Sequence, residues 1–186
     1  MDDIVKAAMA KWPSVPDCHG WLGLDARGRW WMRDADTQAA GPFAGAGAHA
    51  QSRGSELKHD KLIEFIGRNY AADEQGQWYF QNGPQRVYVE LALTPWVWRL
   101  HADGRVISHT GRTAMYQDSW LDAEGRLYLA CDLGLGVVHT LDMAVAADRV
   151  EAGVWAPQTS DVATLIARYG FVLSPWAKAE GRSQPW

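Results

Sequence analysis

The chain has 186 residues, 47% hydrophobic and 22% charged, with a formal net charge of −4 and a pI of about 5.8. That composition fits a folded globular chain and excludes general disorder. The acidic balance leaves no basic surplus for gripping a nucleic-acid backbone, and no apolar run approaches the ~20 residues that would span a membrane.

Met1-Asp2-Asp3 lacks the basic and apolar regions of a signal peptide. Cys18 and Cys131 lie far apart without CxxC spacing, so no disulfide framework is expected and a cytoplasmic location is. The aromatic balance is unusual: eleven tryptophans against six tyrosines and four phenylalanines.

In chain order, Ile4, Val5, Ala8, Met9 and Trp12 fall on one face of a short helix over 2–12, which Pro13 ends. A proline-containing linker follows to His19. Then a phrase occurs four times: Asp25-Ala-Arg-Gly28, Asp73-Glu-Gln-Gly76, His101-Ala-Asp-Gly104 and Asp122-Ala-Glu-Gly125. An Asp that bonds back to the backbone, followed by a Gly free to adopt positive φ, makes a tight turn. Aromatic or aliphatic residues follow each Gly, as in a returning strand.

Hairpins are therefore expected over 22–31, 98–109 and 118–131, whereas the second phrase is read as leading from a helix into a strand. The glycines are 48, 28 and 21 residues apart, so the phrase marks a duplicated supersecondary unit and not a fixed-period repeat.

Residues 35–54 are Ala/Gly-rich without periodicity and read as a mobile loop. A helix over about 56–70 follows, with Ser55 as its cap and a Glu64–Arg68 pair on its wet face. Trp78-Tyr79-Phe80 runs into Asn82-Gly83, a hairpin signal. Val87, Val89 and Leu91 then alternate with Tyr88 and Glu90, one face buried and one wet.

Pro95 limits the strand Trp96–Leu100 to an edge or makes it the first residue. Strands at 127–130 and 136–139, a helix over 143–152 capped by Asp142, and a helix over about 161–169 capped by Ser160 complete the pattern, before a polar tail. Grouped helices and strands point to an α+β fold, its mainly antiparallel sheets built from repeated β-hairpins and packed against a few helices. The expected division is 1–19 (helix and linker), 20–100 and 101–176 (two α+β portions), and 177–186 (tail).

The stretch Leu24–Leu100 resembles an uncharacterised proteobacterial family classed only as a domain of unknown function. What carries the resemblance is the order of an Asp/Gly turn followed by Trp30, a loop, the Leu62-Ile63-x-Phe65 helix, the Asp73-x-x-Gly76 turn, Pro84-x-x-Val87-x-Val89 and Pro95-x-Val97. The resemblance implies two α+β portions on a recurring hairpin-containing motif and a suggested signalling role. It supplies no catalytic residue.

The chain contains no GxSxG, HExxH, GxxxxGK[ST] or GxGxxG; Gly134-Leu-Gly136 lacks the third glycine. His109 and His139 end their strands. With Cys131 or Asp132 they would offer zinc ligands if those strands were neighbours, although hydrogen-bonded sheet histidines fit the same pattern. Cys18-His19 lacks an orienting third group.

Trp96 and Trp98 share a strand face beside Arg99, the arrangement of a stacking platform for a ligand or partner, or of a packed core. The expected function is a regulatory, ligand-binding module without catalysis and without a cofactor, whose partner is a small molecule or a protein. The alternatives are a metal-dependent enzyme built on His109, His139 and Cys131, or a structural homo-oligomer.

Overall fold

The computed structural model describes residues 1–184. The chain is α+β and forms two compact units. The first comprises Met1–Asp25, Arg29–Ala92 and the C-terminal stretch from Phe171; the second comprises Leu93–Gly170 and the turn tip Ala26–Gly28.

In the first unit, helix α1 (Asp3–Lys11) leads to strands β1 (Cys18–Leu24) and β2 (Trp30–Met32). Short helices α2 (Ala35–Ala40) and α3 (Ala50–Arg53) precede β3 (Ser55–Glu56). Helix α4 (Asp60–Arg68), β4 (Tyr70–Ala72), β5 (Trp78–Asn82) and β6 (Gln85–Leu91) follow. The sheet order is β3-β2-β1-β6-β5-β4, antiparallel throughout except for the central parallel pair β1·β6.

In the second unit the strands are β7 (Trp96–Leu100), β8 (Val106–Ser108), β9 (Thr113–Ala114), β10 (Tyr116–Leu121), β11 (Leu127–Cys131) and β12 (Gly134–Val138). They are ordered β9-β8-β7-β12-β11-β10, again with only the central pair, β7·β12, parallel. Helix α5 (Met143–Glu151), a short strand β13 (Gln158–Thr159) parallel to β10, and helix α6 (Val162–Tyr169) complete it. Each unit is thus two three-stranded meanders joined through the first strand of one and the last of the other. The duplication legible in the turn phrases is a duplication of topology.

The four phrases occupy equivalent places, the first hairpin of each meander. Their backbones close alike: the amides of Asp25, Asp73, His101 and Asp122 donate to the carbonyls of Arg29, Gln77, Arg105 and Arg126. Gly76 and Gly125 have φ of 75° and 76°, the left-handed region that favours glycine. The second phrase therefore forms the β4–β5 hairpin, where the sequence suggested a helix-to-strand turn: α4 ends at Arg68, which leaves Tyr70–Ala72 free to pair with Trp78–Phe80.

Tertiary pairing shifts other boundaries. Ser55 and Glu56 pair with Met32 and Trp31, so α4 starts later and is capped by His59, whose ring accepts the Leu62 amide. Arg68 pairs with Asp2 at 3.3 Å, not with Glu64. Asp161 caps α6 in place of Ser160, and Asp142 turns its side chain to Arg99. The segment read as a loop over 35–54 contains α2 and α3, the former capped by Asp34.

That segment is anchored by the buried Arg33, whose N–H groups donate to the carbonyls of Ser52, Gly20, Thr37 and Gly41. In the expected polar tail, helix α7 (Pro175–Ala179), with Ser174 as cap, packs on β1 and β6; residues 185 and 186 of that tail lie outside the described residues. No helix among the described residues is long and apolar enough to cross a membrane.

Candidate functional site

Strand β6 pairs with β5 so that Tyr88 faces Tyr79 and Arg86 faces Gln81, while Val87 faces Phe80. Alternation puts the first two pairs on one side of the sheet and the third on the other. The Phe80 side is core, packed edge-on against Phe65 of α4 at 5.5 Å. The Tyr88 side is polar and aromatic, and its two ends differ.

One end is closed by α7. The Ser174 hydroxyl donates to Glu90 Oε2, and the Trp176 amide donates to Oε1 at 3.0 Å. Burial raises the Glu90 carboxyl above its ordinary value, against the Ser174 and Trp176 bonds and nearby Arg33. These donors satisfy a buried acid and hold a helix start.

The other end is open. A recess of about 490 Å³ is lined by Asp73, Gln77, Tyr79, Arg86 and Tyr88 among others. The Arg86 guanidinium lies 4.9 Å from the Tyr79 ring centre, and its pKa is raised first by its interaction with the Tyr88 hydroxyl. Arg29, Arg68, Arg99, Arg105 and Arg126 each pair with a carboxylate. Arg86 forms no ion pair with a described residue; Asp17 acts on it at longer range.

His19 stacks on Tyr88, centroids 4.6 Å apart and planes at 12°. Burial lowers its pKa, with Asp17 opposing, so the ring favours its neutral form. The Tyr88 hydroxyl donates to Asp73 Oδ2 at 3.1 Å. Asp73 also accepts from the Gln75 and Gln77 amides and the Gln77 side chain. Burial pushes the Asp73 carboxyl up, and these bonds outweigh it, leaving the pKa lowered.

The duplication makes the recess stand out. Six residues after the turn Asp, an aromatic donor ties back to it: Trp31 Nε1 to Asp25 at 3.1 Å, and Tyr128 Oη to Asp122 at 2.8 Å. Tyr79 holds that place in the second phrase, yet Tyr88 takes its bond to Asp73. The Tyr79 ring lies against Arg86 instead, and its hydroxyl makes no hydrogen bond to a described residue. Tyr79 and Arg86 are thereby left as donors lining one recess.

The residues singled out from sequence lie in the second unit. Trp96 and Trp98 share a face and stack at 5.8 Å as expected, but both are enclosed, 2% and 0% exposed. Their indole N–H groups donate to the carbonyls of Leu133 and Leu129. The two glycines of Gly134-Leu-Gly136 make room for them: a Cβ at 136 would lie 2.5 Å from Trp98 Nε1, and one at 134 would lie 3.3 Å from Trp96 Nε1. The rings fill the sheet face on which a stacking platform was expected. Arg99 donates to both Asp142 oxygens, at 2.6 and 3.0 Å, and Asp142 also accepts the Leu100 amide.

His109 accepts the Val97 amide at 3.3 Å through Nδ1, and His139 accepts the Leu141 amide at 3.1 Å. Burial first, then Asp132, pushes the Cys131 thiol up to about 12. Among the described residues, no group of three His, Cys, Asp or Glu side chains is gathered to hold a metal. Cys18 and His19 do not converge. Cys18 is in register with Val87, on the core side, whereas His19 stacks on Tyr88 of the other face.

The recess residues missed from sequence had one signal, the polar positions Arg86, Tyr88 and Glu90 alternating with Val87, Val89 and Leu91.

Comparison with known proteins gives a match of residues 1–176 to the model of the DUF2944 family, described as "Protein of unknown function (DUF2946)". No curated protein matches the chain. Two solved structures of DUF1285 family proteins are similar. One, from Silicibacter pomeroyi DSS-3, has 12% identity and a TM-score of 0.48, covering 73% of this chain and 72% of that one. The other, from Shewanella baltica OS155, has 12% identity and a TM-score of 0.44, covering 69% and 91%.

Proposed function

The chain belongs to the family described as protein of unknown function (DUF2946), and from that premise we propose that it is a bacterial regulatory module that binds a small molecule without transforming it. The supporting observation is the open recess of the first unit. It brings an arginine outside any described ion pair together with a tyrosine hydroxyl outside any described hydrogen bond. The recess is polar, with two tyrosine rings among its walls, and placed polar groups such as these are what orient a bound ligand.

The named residues around it set no nucleophile against a base. Asp73 is saturated by its turn and by Tyr88, and His19 lies flat on a ring. A cytoplasmic setting accords with the two free cysteines.

A thermal-shift panel of small molecules tests this reading. A ligand that binds only the folded chain raises its Tm, by linkage about 2.7 kcal/mol of stability at 100 Kd. Hits are expected to lose their effect in Arg86→Gln. Hits that act equally on that variant, or a panel with none, contradict the proposal.

A further inference from the structure

Arg86 also lines a second recess of about 560 Å³, which has an apolar side formed by Met9, Trp12, Pro13, Val15, Pro16 and Pro84 and a polar one formed by Ser14, Asp17 and Gln81. Val5 of α1 is buried, whereas Trp12, the residue that ends the helix, is 51% exposed. A large ring left half in water beside a proline-containing linker is an apolar wall without a described cover.

That wall is held in place. The Gln85 side-chain amide donates to the Pro16 carbonyl at 3.0 Å. The Asp2 amide donates to Asn69 Oδ1 at 2.8 Å, and Asp2 pairs with Arg68.

We propose that the two recesses together hold a small organic carboxylate with a ring-bearing apolar body. The carboxylate sits on Arg86 and the Tyr79 hydroxyl, and the body lies against Trp12 and the prolines. This rests on the reading of the first recess as a binding site and names the ligand class it takes.

Three features select that class. Arg86, common to both recesses, and Tyr79 offer donors that no described carboxylate takes up: the planar guanidinium fork fits a carboxylate, and the tyrosine adds an O–H. Asp73, in the wall of the first recess, already accepts four donors. Arg86 is the one guanidinium in the two linings, and Asp17 lines one recess and Glu74 the other, which favours a single negative charge over a phosphate dianion.

Isothermal titration of the full chain at pH 7 and fixed ionic strength, with benzoate, benzyl alcohol, benzylammonium and inorganic phosphate as probes, tests the class. Benzoate is expected to bind at least about tenfold more tightly than the other three, as a charge-assisted bond requires. Arg86→Gln should lose about tenfold or more in benzoate affinity, Arg86→Lys less, and Tyr79→Phe a smaller factor. Trp12→Ala should weaken benzoate and leave acetate unchanged.

Arg86→Lys keeps the charge without the fork, so it decides the matter if Arg86→Gln fails to fold. Tighter binding of phosphate, benzyl alcohol or benzylammonium, with amide shifts at residues 72–88 and 9–19, overturns the carboxylate and leaves the recess as a site. Shifts from all four probes confined to other residues overturn both.

Discussion

Trp98 shows how the aromatic excess is used. Its ring is fully enclosed, its N–H is satisfied by Leu129, and Gly136 gives up its side chain to admit it. Truncating such a residue loses transfer energy and leaves a cavity. Trp98→Ala is therefore expected to lower stability by about 3–5 kcal/mol in urea denaturation, and Trp12→Ala, at a half-exposed ring, by no more than about 0.5 kcal/mol. Comparable losses from both would mean that Trp12 is core.

Cys131 gives a second test at this scale. With its thiol pushed up to about 12 by burial, it holds little thiolate at pH 8. It should resist iodoacetamide in the native protein and react once denatured, as peptide mass spectrometry would report. The tryptophan excess was plain in the sequence, but whether a given ring lay in core or in water was not. A W-x-W strand and a G-x-G strand declare their fit only when β7 and β12 are known to pair in register, Gly136 against Trp96.

Among the elements, hairpins were the most legible, because an Asp and a Gly at fixed spacing impose a local geometry that tertiary context rarely overrides. Helix starts were less so. Ser55 and Ser160 are acceptable caps, yet β3 pairing claims Ser55, and α6 starts one residue later, with Asp161 accepting the Thr164 amide.

Residues 35–54 looked unstructured because they are held by Ser52 and His49, which reach back to Pro42 and Ala40, and by Arg33, outside the segment, which binds three of its carbonyls. Arg33→Met should leave those carbonyls unsatisfied and speed hydrogen exchange across residues 35–54 relative to β5 and β6; unchanged protection would show that the segment holds itself. Gly136→Ala places a Cβ 2.7 Å from the Trp96 carbonyl oxygen. The expected cost is about 1–3 kcal/mol of overpacking, and a neutral result would mean that β7 and β12 separate at little cost.

At the scale of the whole molecule, the duplicated topology supplies the argument for the site. Two units share a plan of paired meanders, so the place where one copy abandons a shared bond is informative. Tyr128 keeps the tie to its turn, and Tyr79 has left it for Arg86. None of this was visible in the sequence, where Tyr79 read as one aromatic in a strand and attention went to Trp96, Trp98 and Arg99.

Acid stability belongs to this scale as well. The bonds from Arg99, and that from the Leu100 amide, hold the Asp142 carboxyl below its ordinary value against burial. Its stabilisation is complete above the unfolded carboxylate pKa of about 3.9 and is lost as pH falls through the lower folded value. Arg99→Gln should therefore cost stability at pH 7 and narrow the gap to wild type as the pH approaches 3, read from urea midpoints; a gap independent of pH would deny the pair that role.

The central claim is that the open recess of the first unit receives a small molecule. The most direct measurement is the backbone amide spectrum of the ¹⁵N-labelled full chain during titration with benzoate, wild type beside Arg86→Gln. The account predicts saturable shifts clustered at residues 72–88 and 9–19 in the wild type and their loss in the variant. Shifts that cluster around β7 and β12, or that persist unchanged without the guanidinium, would contradict it.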